Sequence, residues 1–197
     1  ADVISRIDYC RKNGIGKLNS VLITEINRII AGLDIQENLD LYVSGNATML
    51  HTFFGVDCSS MGVVPYKPQF LESITDSGEN IGLKGVKTVI SLPSIHSFVG
   101  ADLLAGMNYI GFPESEKYNL LVDLGTNAEI VLYSKESVIC TSAAAGPCFE
   151  GANISCGMGA TDGAIYKFSR KNDNIVIYTI NKKSPQGICG TGLVDIV

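Results

Sequence analysis

A mixed-sheet α/β fold is what this 197-residue sequence predicts. Two observations carry the prediction. Through the first 111 residues, strand-like stretches alternate with helix-like ones, and from residue 119 several strand-like runs follow one another as a meander. The length allows one large domain or two small ones.

Taken in order, residues 2–14 (DVISRIDYCRKNG) read as a helix closed by a glycine. Residues 17–33 read as a second helix, with Leu18, Leu22, Ile26, Ile29, Ile30 and Leu33 on one stripe. LDLYVSG (39–45) is a short buried strand that runs directly into a helix, NATMLHTFFG (46–55). VVPYKPQF (63–70) carries two prolines and is loop, and the polar residues 71–85 read as an exposed connection. VKTVISLPS (86–94) is a strand and residues 97–111 a helix with small residues on one face. The texture changes around FPESEK, which places a boundary near 112–118 and gives regions 1–115 and 116–197. Beyond it come the hairpin NLLVDLGTNAEIVLYS (119–134), the strand SVICTSA, a glycine-rich segment to Ala160 and a short helix over TDGAIYKFS (161–169). The strand NIVIYTI and the closing GICGTGLVDIV complete the chain.

Composition narrows the function. Charged residues make up 18% of the chain and the net charge is −5, with no basic cluster interleaved with aromatics, so a nucleic-acid partner is not expected. No run of about 18 apolar residues offers a membrane span. The six cysteines (Cys10, Cys58, Cys140, Cys148, Cys156 and Cys189) contain no C-x-x-C pair. A chain of this size needs no disulfide staples, so a reducing cytoplasm is expected, and the evenly spaced Cys140, Cys148 and Cys156 are read as small buried residues rather than metal ligands. P-loop, dinucleotide-fingerprint and G-x-S-x-G motifs are absent. His51 sits among Met49, Leu50, Phe53 and Phe54 and reads as a structural histidine. The chain opens on Ala1 in apolar-periodic sequence and stops within a newly started helix, the signature expected of an excised piece.

Four segments carry the candidate chemistry. In Asp123-Leu124-Gly125-Thr126-Asn127, the glycine removes a Cβ that would keep phosphate from the backbone amides, and it tolerates positive φ. Thr126 and the turn amides are phosphate donors. Asp123, at a strand end, is a candidate to hold Mg²⁺ through its water shell, or to position the attacking water. The alternative is a plain polar hairpin. The segment 142–160 places Gly146 and Pro147 in a run of small residues that suits either an anionic ligand or tight packing. Gly190-Thr191-Gly192 precedes an apolar run, so it offers phosphate donors or an ordinary helix cap by Thr191. Gly45-Asn46-Ala47-Thr48 stands at a strand-to-helix junction and reads foremost as a capped helix.

In this order and spacing, VDLGTNAE, AAAGPCFEG, ISCGMGA and GICGTGLVD resemble the C-terminal domain of the reductive activators of corrinoid proteins, and ADVISRI, GNATM and GADLLAG fit the same family upstream. The resemblance covers nearly the whole chain. It extends to the ATP-dependent activators of 2-hydroxyacyl-CoA dehydratases, and it implies incomplete ribonuclease H-like lobes of the actin, sugar-kinase and heat-shock chaperone ATPase superfamily. Residues 1–115 would be the remainder of the first lobe and 116–197 the start of the second. It further implies that ATP/ADP and Mg²⁺ bind between the lobes. Asp123, Gly125, Thr126 and Asn127 would form the second phosphate hairpin, flanked by Gly146 and Pro147, with Gly190, Thr191 and Gly192 also at the nucleotide. An iron–sulfur domain elsewhere in the full protein would pass a low-potential electron to a corrinoid (cobalamin) protein, returning Co(II) to Co(I) in an anaerobe. A homodimer stays open, and this chain alone is expected to be inactive. The resemblance places the family's first hairpin, D-x-G-T-T, upstream of Ala1 and its late glycine pair beyond Val197, so neither is expected within these residues. Ala128 and Cys148 replace residues that are commonly Gly and Ala. Competing readings are a nucleotide-independent docking or dimerisation module and, third, a small-metabolite kinase.

Overall fold

A computed structural model of the chain describes residues 3–33, 35, 38–111, 116–146, 154–172 and 174–196. Its backbone forms two units, Ala1–Asp123 with Glu129–Ala143, and Leu124–Ala128 with Ala144–Val197.

The first unit opens with helices α1 (Val3–Asn13) and α2 (Gly16–Ala31). Gly14, between them, has φ +76°, the left-handed conformation expected of a glycine that ends a helix. Strand β1 (Leu39–Val43) leads through Asn46 into α3 (Ala47–Phe54). The Asn46 carboxamide accepts the Met49 N–H at 2.9 Å, and left-handed Gly55 closes the helix, so the strand-to-helix junction is a capped helix as read. Strand β3 (Val86–Ser91) pairs parallel with β1, from Leu39 opposite Val86 to Val43 opposite Ser91, so both strands end together. Leu22, Ile26 and Ile30 pack on Ile23, Phe53, Val86 and Val89 beneath that pair. Each such buried side chain contributes about 1.5–3 kcal/mol. The helical stripe is narrower than its pattern implied. Ile29 and Leu33 are 50% and 55% exposed, whereas Ile23, off the stripe, is buried.

Residues 71–85 are not a bare connection. Strand β2 (Thr75–Ser77) adds antiparallel to the other edge of β3, giving the order β1-β3-β2, and a single turn of helix, α4 (Gly78–Ile81), follows. Polar composition hid both. Ser77 caps α4 by accepting the Asn80 N–H, and a Cβ on Gly78 would stand 2.2 Å from the Val86 carbonyl oxygen. Helix α5 (Ala101–Tyr109) then packs Leu103 and Met107 against Val131 and Tyr133. Those residues belong to the sheet of β4 (Asn119–Leu124), β5 (Asn127–Tyr133) and β6 (Val138–Ala144), in that order.

The second unit contains β7 (Ala164–Lys171), β8 (Asn174–Thr179), β9 (Gly187–Ile188) and α6 (Gly190–Ile196), with strand order β8-β7-β9. The sequence reading placed a helix over 161–169, and the structure places β7 there. Partners outside the segment decide it. β8 pairs antiparallel along β7, and β9 pairs parallel at Ala164 and Ile165. Where β9 stops, the Asp195 carboxylate accepts the Phe168 N–H at 2.6 Å, which satisfies a strand donor that would otherwise face no partner. Among the described residues no helix is long and apolar enough to cross a membrane.

His51 is fully buried and structural, as expected. One ring nitrogen donates to the Ala47 carbonyl (2.7 Å), the other accepts the Gln69 N–H (3.0 Å), and the ring stacks on Phe70. A second ring proton would face the Gln69 N–H. Burial lowers its pKa, against the opposing pull of the Ala47 carbonyl and the Asp57 charge. The unfolded chain therefore takes the proton more readily. The stability this ring contributes is complete above the unfolded value of about 6.5 and is lost as pH falls through the lower folded value. Thermal melts of wild type and His51→Gln should differ more at pH 7.5 than at pH 5.5. A gap independent of pH would show that the folded ring accepts a proton freely.

Candidate functional site

The hairpin named from sequence is formed by β4, a two-residue link of Gly125 and Thr126, and β5. Its tip, Leu124–Ala128, belongs to the second unit. The Gly125 N–H donates to the Asn127 carbonyl (3.0 Å), and a Cβ on Gly125 would lie 3.2 Å from that same oxygen. Gly125 does not use the left-handed region; Gly146 does, at φ +86°. The Thr126 carbonyl accepts two backbone donors, the N–H of Ala145 (3.1 Å) and of Gly146 (2.9 Å). The structure thus brings Gly125, Thr126, Asn127 and Gly146 into one hydrogen-bonded turn. Pro147 and Cys148 lie outside the described residues.

Gly190, Thr191 and Gly192 form the first turn of α6 in the same unit. A Cβ on Gly192 would fall 2.2 Å from the Ile165 carbonyl oxygen, so close packing on β7 by itself demands glycine there. The preceding residue, Cys189, is buried, with its thiol 3.3 Å from the Ile165 carbonyl and 3.2 Å from the Thr191 hydroxyl. Burial pushes its pKa up, but hydrogen bonds from the Thr191 hydroxyl and the amides of Gly192 and Thr191 outweigh it and leave the thiol lowered. Gly190, Thr191, Val194 and Asp195 line a shallow cavity of about 280 Å³. ISCGMGA joins the same construction. The Ile188 N–H donates to the Cys156 carbonyl (2.8 Å), and the Met158 N–H donates to the Ile188 carbonyl (3.0 Å). Two motifs about 30 residues apart in sequence are therefore zipped side by side.

In the first unit Asp123 is exposed near the end of β4, and its charge acts on two further carboxylates, Asp102 and Glu129. Glu129 accepts the Ser142 hydroxyl at 3.1 Å. Burial raises its pKa; the Ser142 bond opposes this, and the charges of Asp102 and Asp123 add to it. Asp102 keeps solvent-accessible surface, yet crowding by protein atoms is the largest influence raising its pKa, opposed by the Leu103 and Asp102 N–H groups and reinforced by Asp123. Asp102 is held by a tight junction of GNATM and GADLLAG. The Ala101 N–H donates to the Gly45 carbonyl (3.0 Å), and a Cβ on Gly100 would meet the Asn46 Cα at 2.4 Å and Asp102 Oδ1 at 2.6 Å. Sequence reasoning quoted the motifs that contain them, GADLLAG for Asp102 and VDLGTNAE for Glu129, but selected neither residue; the legible signal was the acidic residue within each.

Such a set of carboxylates concentrates negative charge, which suits a hard divalent cation or a proton acceptor. No group of three or more His, Cys, Asp or Glu side chains converges in metal-holding geometry among the described residues. Of the three evenly spaced cysteines expected to be buried, Cys156 is exposed and Cys140 half-buried, whereas Cys10, Cys58 and Cys189 are buried.

Comparison with known proteins matches residues 1–115 to the RACo middle region and residues 117–197 to the C-terminal domain of RACo, the ASKHA domain. The chain belongs to the RACo family. Its second match is to an actin-like ATPase domain, so the mixed-sheet α/β class expected from sequence holds. Relatives include the corrinoid activation enzyme RamQ of Eubacterium limosum, 35% identical over 208 aligned positions, covering 100% of this chain and 34% of that one. The [Co(II) methylated amine-specific corrinoid protein] reductase of Methanosarcina barkeri is 30% identical over 177 positions, covering 83% and 33%. Among solved structures, a reductive activator for corrinoid, iron-sulfur protein superposes with a TM-score of 0.78 at 33% identity, over 99% of this chain and 33% of the other. The chain thus spans about a third of the length of these RACo-like proteins.

Proposed function

We propose that this chain is the nucleotide-binding part of an ATP-dependent reductive activator that returns a corrinoid protein from Co(II) to Co(I). One observation carries the reading: both RACo regions match in order over nearly the whole chain, and the ASKHA match contains the self-bonded Gly125–Asn127 turn. Residues 1–115 are assigned to the first lobe and 116–197 to the second. The turn presents Thr126 and Asn127 to the nucleotide phosphates, and Gly190 and Thr191 line a second, shallow part of the site. Gly192 and Gly146 act through backbone shape. Asp123 orients the attacking water or the metal's water shell, with Asp102 and Glu129 strengthening the local negative charge.

The residues fit Mg²⁺. Their donors are hard carboxylate oxygens, which suit that ion. When bound, Mg²⁺ would neutralise charge on the phosphate oxygens. We place the iron–sulfur centre elsewhere in the full-length protein. The partner is a corrinoid protein, and neither nucleic acid nor membrane enters the reading. A cytoplasmic location follows from the same chemistry.

The direct test is a thermal melt of this chain with and without excess Mg-ADP. Ligand at about a hundredfold over Kd adds about 2.7 kcal/mol, which raises Tm by about 5–10 °C for a chain of this size. No shift with this chain and none with the full-length protein would discard nucleotide binding and favour the docking module.

A further inference from the structure

The amides of Ala145 and Gly146 are the obvious phosphate donors in a glycine-rich segment, yet both are engaged. They donate to one acceptor, the Thr126 carbonyl, at 3.1 and 2.9 Å, distances of ordinary full-strength hydrogen bonds. The angle between the two N–H groups is set at Ala145, which lies between them, and Gly146, at φ +86°, sets the course of the chain just beyond, so a residue that cannot hold that φ there pulls on the pair. Among the described residues, the Cβ of an added side chain there would meet nothing within 4 Å. Glycine is thus required at this position by conformation rather than by contact with a described residue.

Capping that carbonyl has consequences for the turn. An uncapped oxygen at the hairpin tip would repel a phosphate. Because the peptide joining Thr126 to Asn127 is planar and trans, fixing its carbonyl fixes the whole plane, including the direction of the Asn127 N–H. The Gly125 N–H is held in turn by the Asn127 carbonyl. The tip is therefore tied at two points.

We infer that Ala145 and Gly146 are a backbone strut that positions the Gly125–Asn127 turn for phosphate, rather than phosphate ligands themselves. This rests on the nucleotide reading above and specifies how Gly146 acts within it. A positioning role and a contact role respond differently to substitution. Asparagine tolerates the left-handed conformation and valine does not. A strut survives Gly146→Asn and fails in Gly146→Val; a surface pressed against the ligand is blocked by both.

In the full-length protein, Mg-ADP affinity by calorimetry is compared for wild type, Gly146→Asn and Gly146→Val, together with hydrogen exchange at the Ala145 and Gly146 amides without nucleotide. The expected result is protected amides in wild type and the asparagine variant, with exchange at least tenfold faster in the valine variant. Affinity should stay within about threefold for asparagine and weaken by about tenfold or more for valine. Equal weakening by both substitutions, or unprotected amides in wild type, overturns the strut. If wild type binds no Mg-ADP, the nucleotide reading falls, and the exchange rates still decide the strut on their own. Should the valine variant not fold, the asparagine variant and wild-type exchange remain decisive.

Discussion

Asp123→Ala in the full-length protein is expected to lower ATP hydrolysis by about 10²–10³-fold with the far-UV circular dichroism unchanged. The rate effect follows from position. Asp123 stands in β4 two residues before Gly125 and is exposed, whereas Glu129, as close on the other side of the turn, is half-buried and held by Ser142. Phosphoryl hydrolysis depends on orienting water and compensating charge rather than on a covalent nucleophile, so losing one orienting carboxylate reaches the transition state directly. The fold should not suffer. Asp123 raises the pKa of both Asp102 and Glu129, and its removal relieves repulsion instead of leaving a buried group unpaired. Hydrolysis at the wild-type rate would sink the assignment. Nucleotide-independent binding of the corrinoid protein by that same variant would then favour the docking module.

Local pattern revealed the elements whose own residues determine them. Asn46 caps α3, Gly14 ends α1, and the alternation of β5 buries Val131 and Tyr133 against α5. Where distant partners decide, the pattern misled. β7 is a strand because β8, β9 and the Asp195 carboxylate hold its backbone donors and acceptors, and none of these is visible within residues 161–169. β2 is three polar residues long and exists only as an addition to the edge of β3. The site divides in the same way. Gly125 and Thr126 announce themselves as a turn, but the contact of Thr126 with Ala145 and Gly146 is a tertiary fact. Asp102 was hidden because a lone acid at a helix start is common. Only its crowding beside Gly45, Asn46 and Gly100, and its interaction with Asp123, distinguish it.

Gly192 offers the sharpest separation of packing from chemistry. Sequence alone allows it as a phosphate-loop glycine, whereas in the fold it is buried, with the Ile165 carbonyl oxygen 2.2 Å and an Ile188 methyl 3.1 Å from any added Cβ. Neither neighbour can yield easily. The Ile165 carbonyl already accepts the Cys189 N–H at 3.1 Å and sits where β7 pairs with β9, so displacing it disturbs the start of α6 and the parallel ladder together. Gly192→Ala should therefore destabilise the protein by about 3 kcal/mol, the upper part of the range for overpacking. That corresponds to a fall in Tm of about 6–12 °C, with or without nucleotide. Gly190→Ala makes a useful companion, since Gly190 adjoins the shallow cavity. A Gly192→Ala protein that melts within 2 °C of wild type but no longer binds Mg-ADP would overturn the packing account and return this glycine to the ligand.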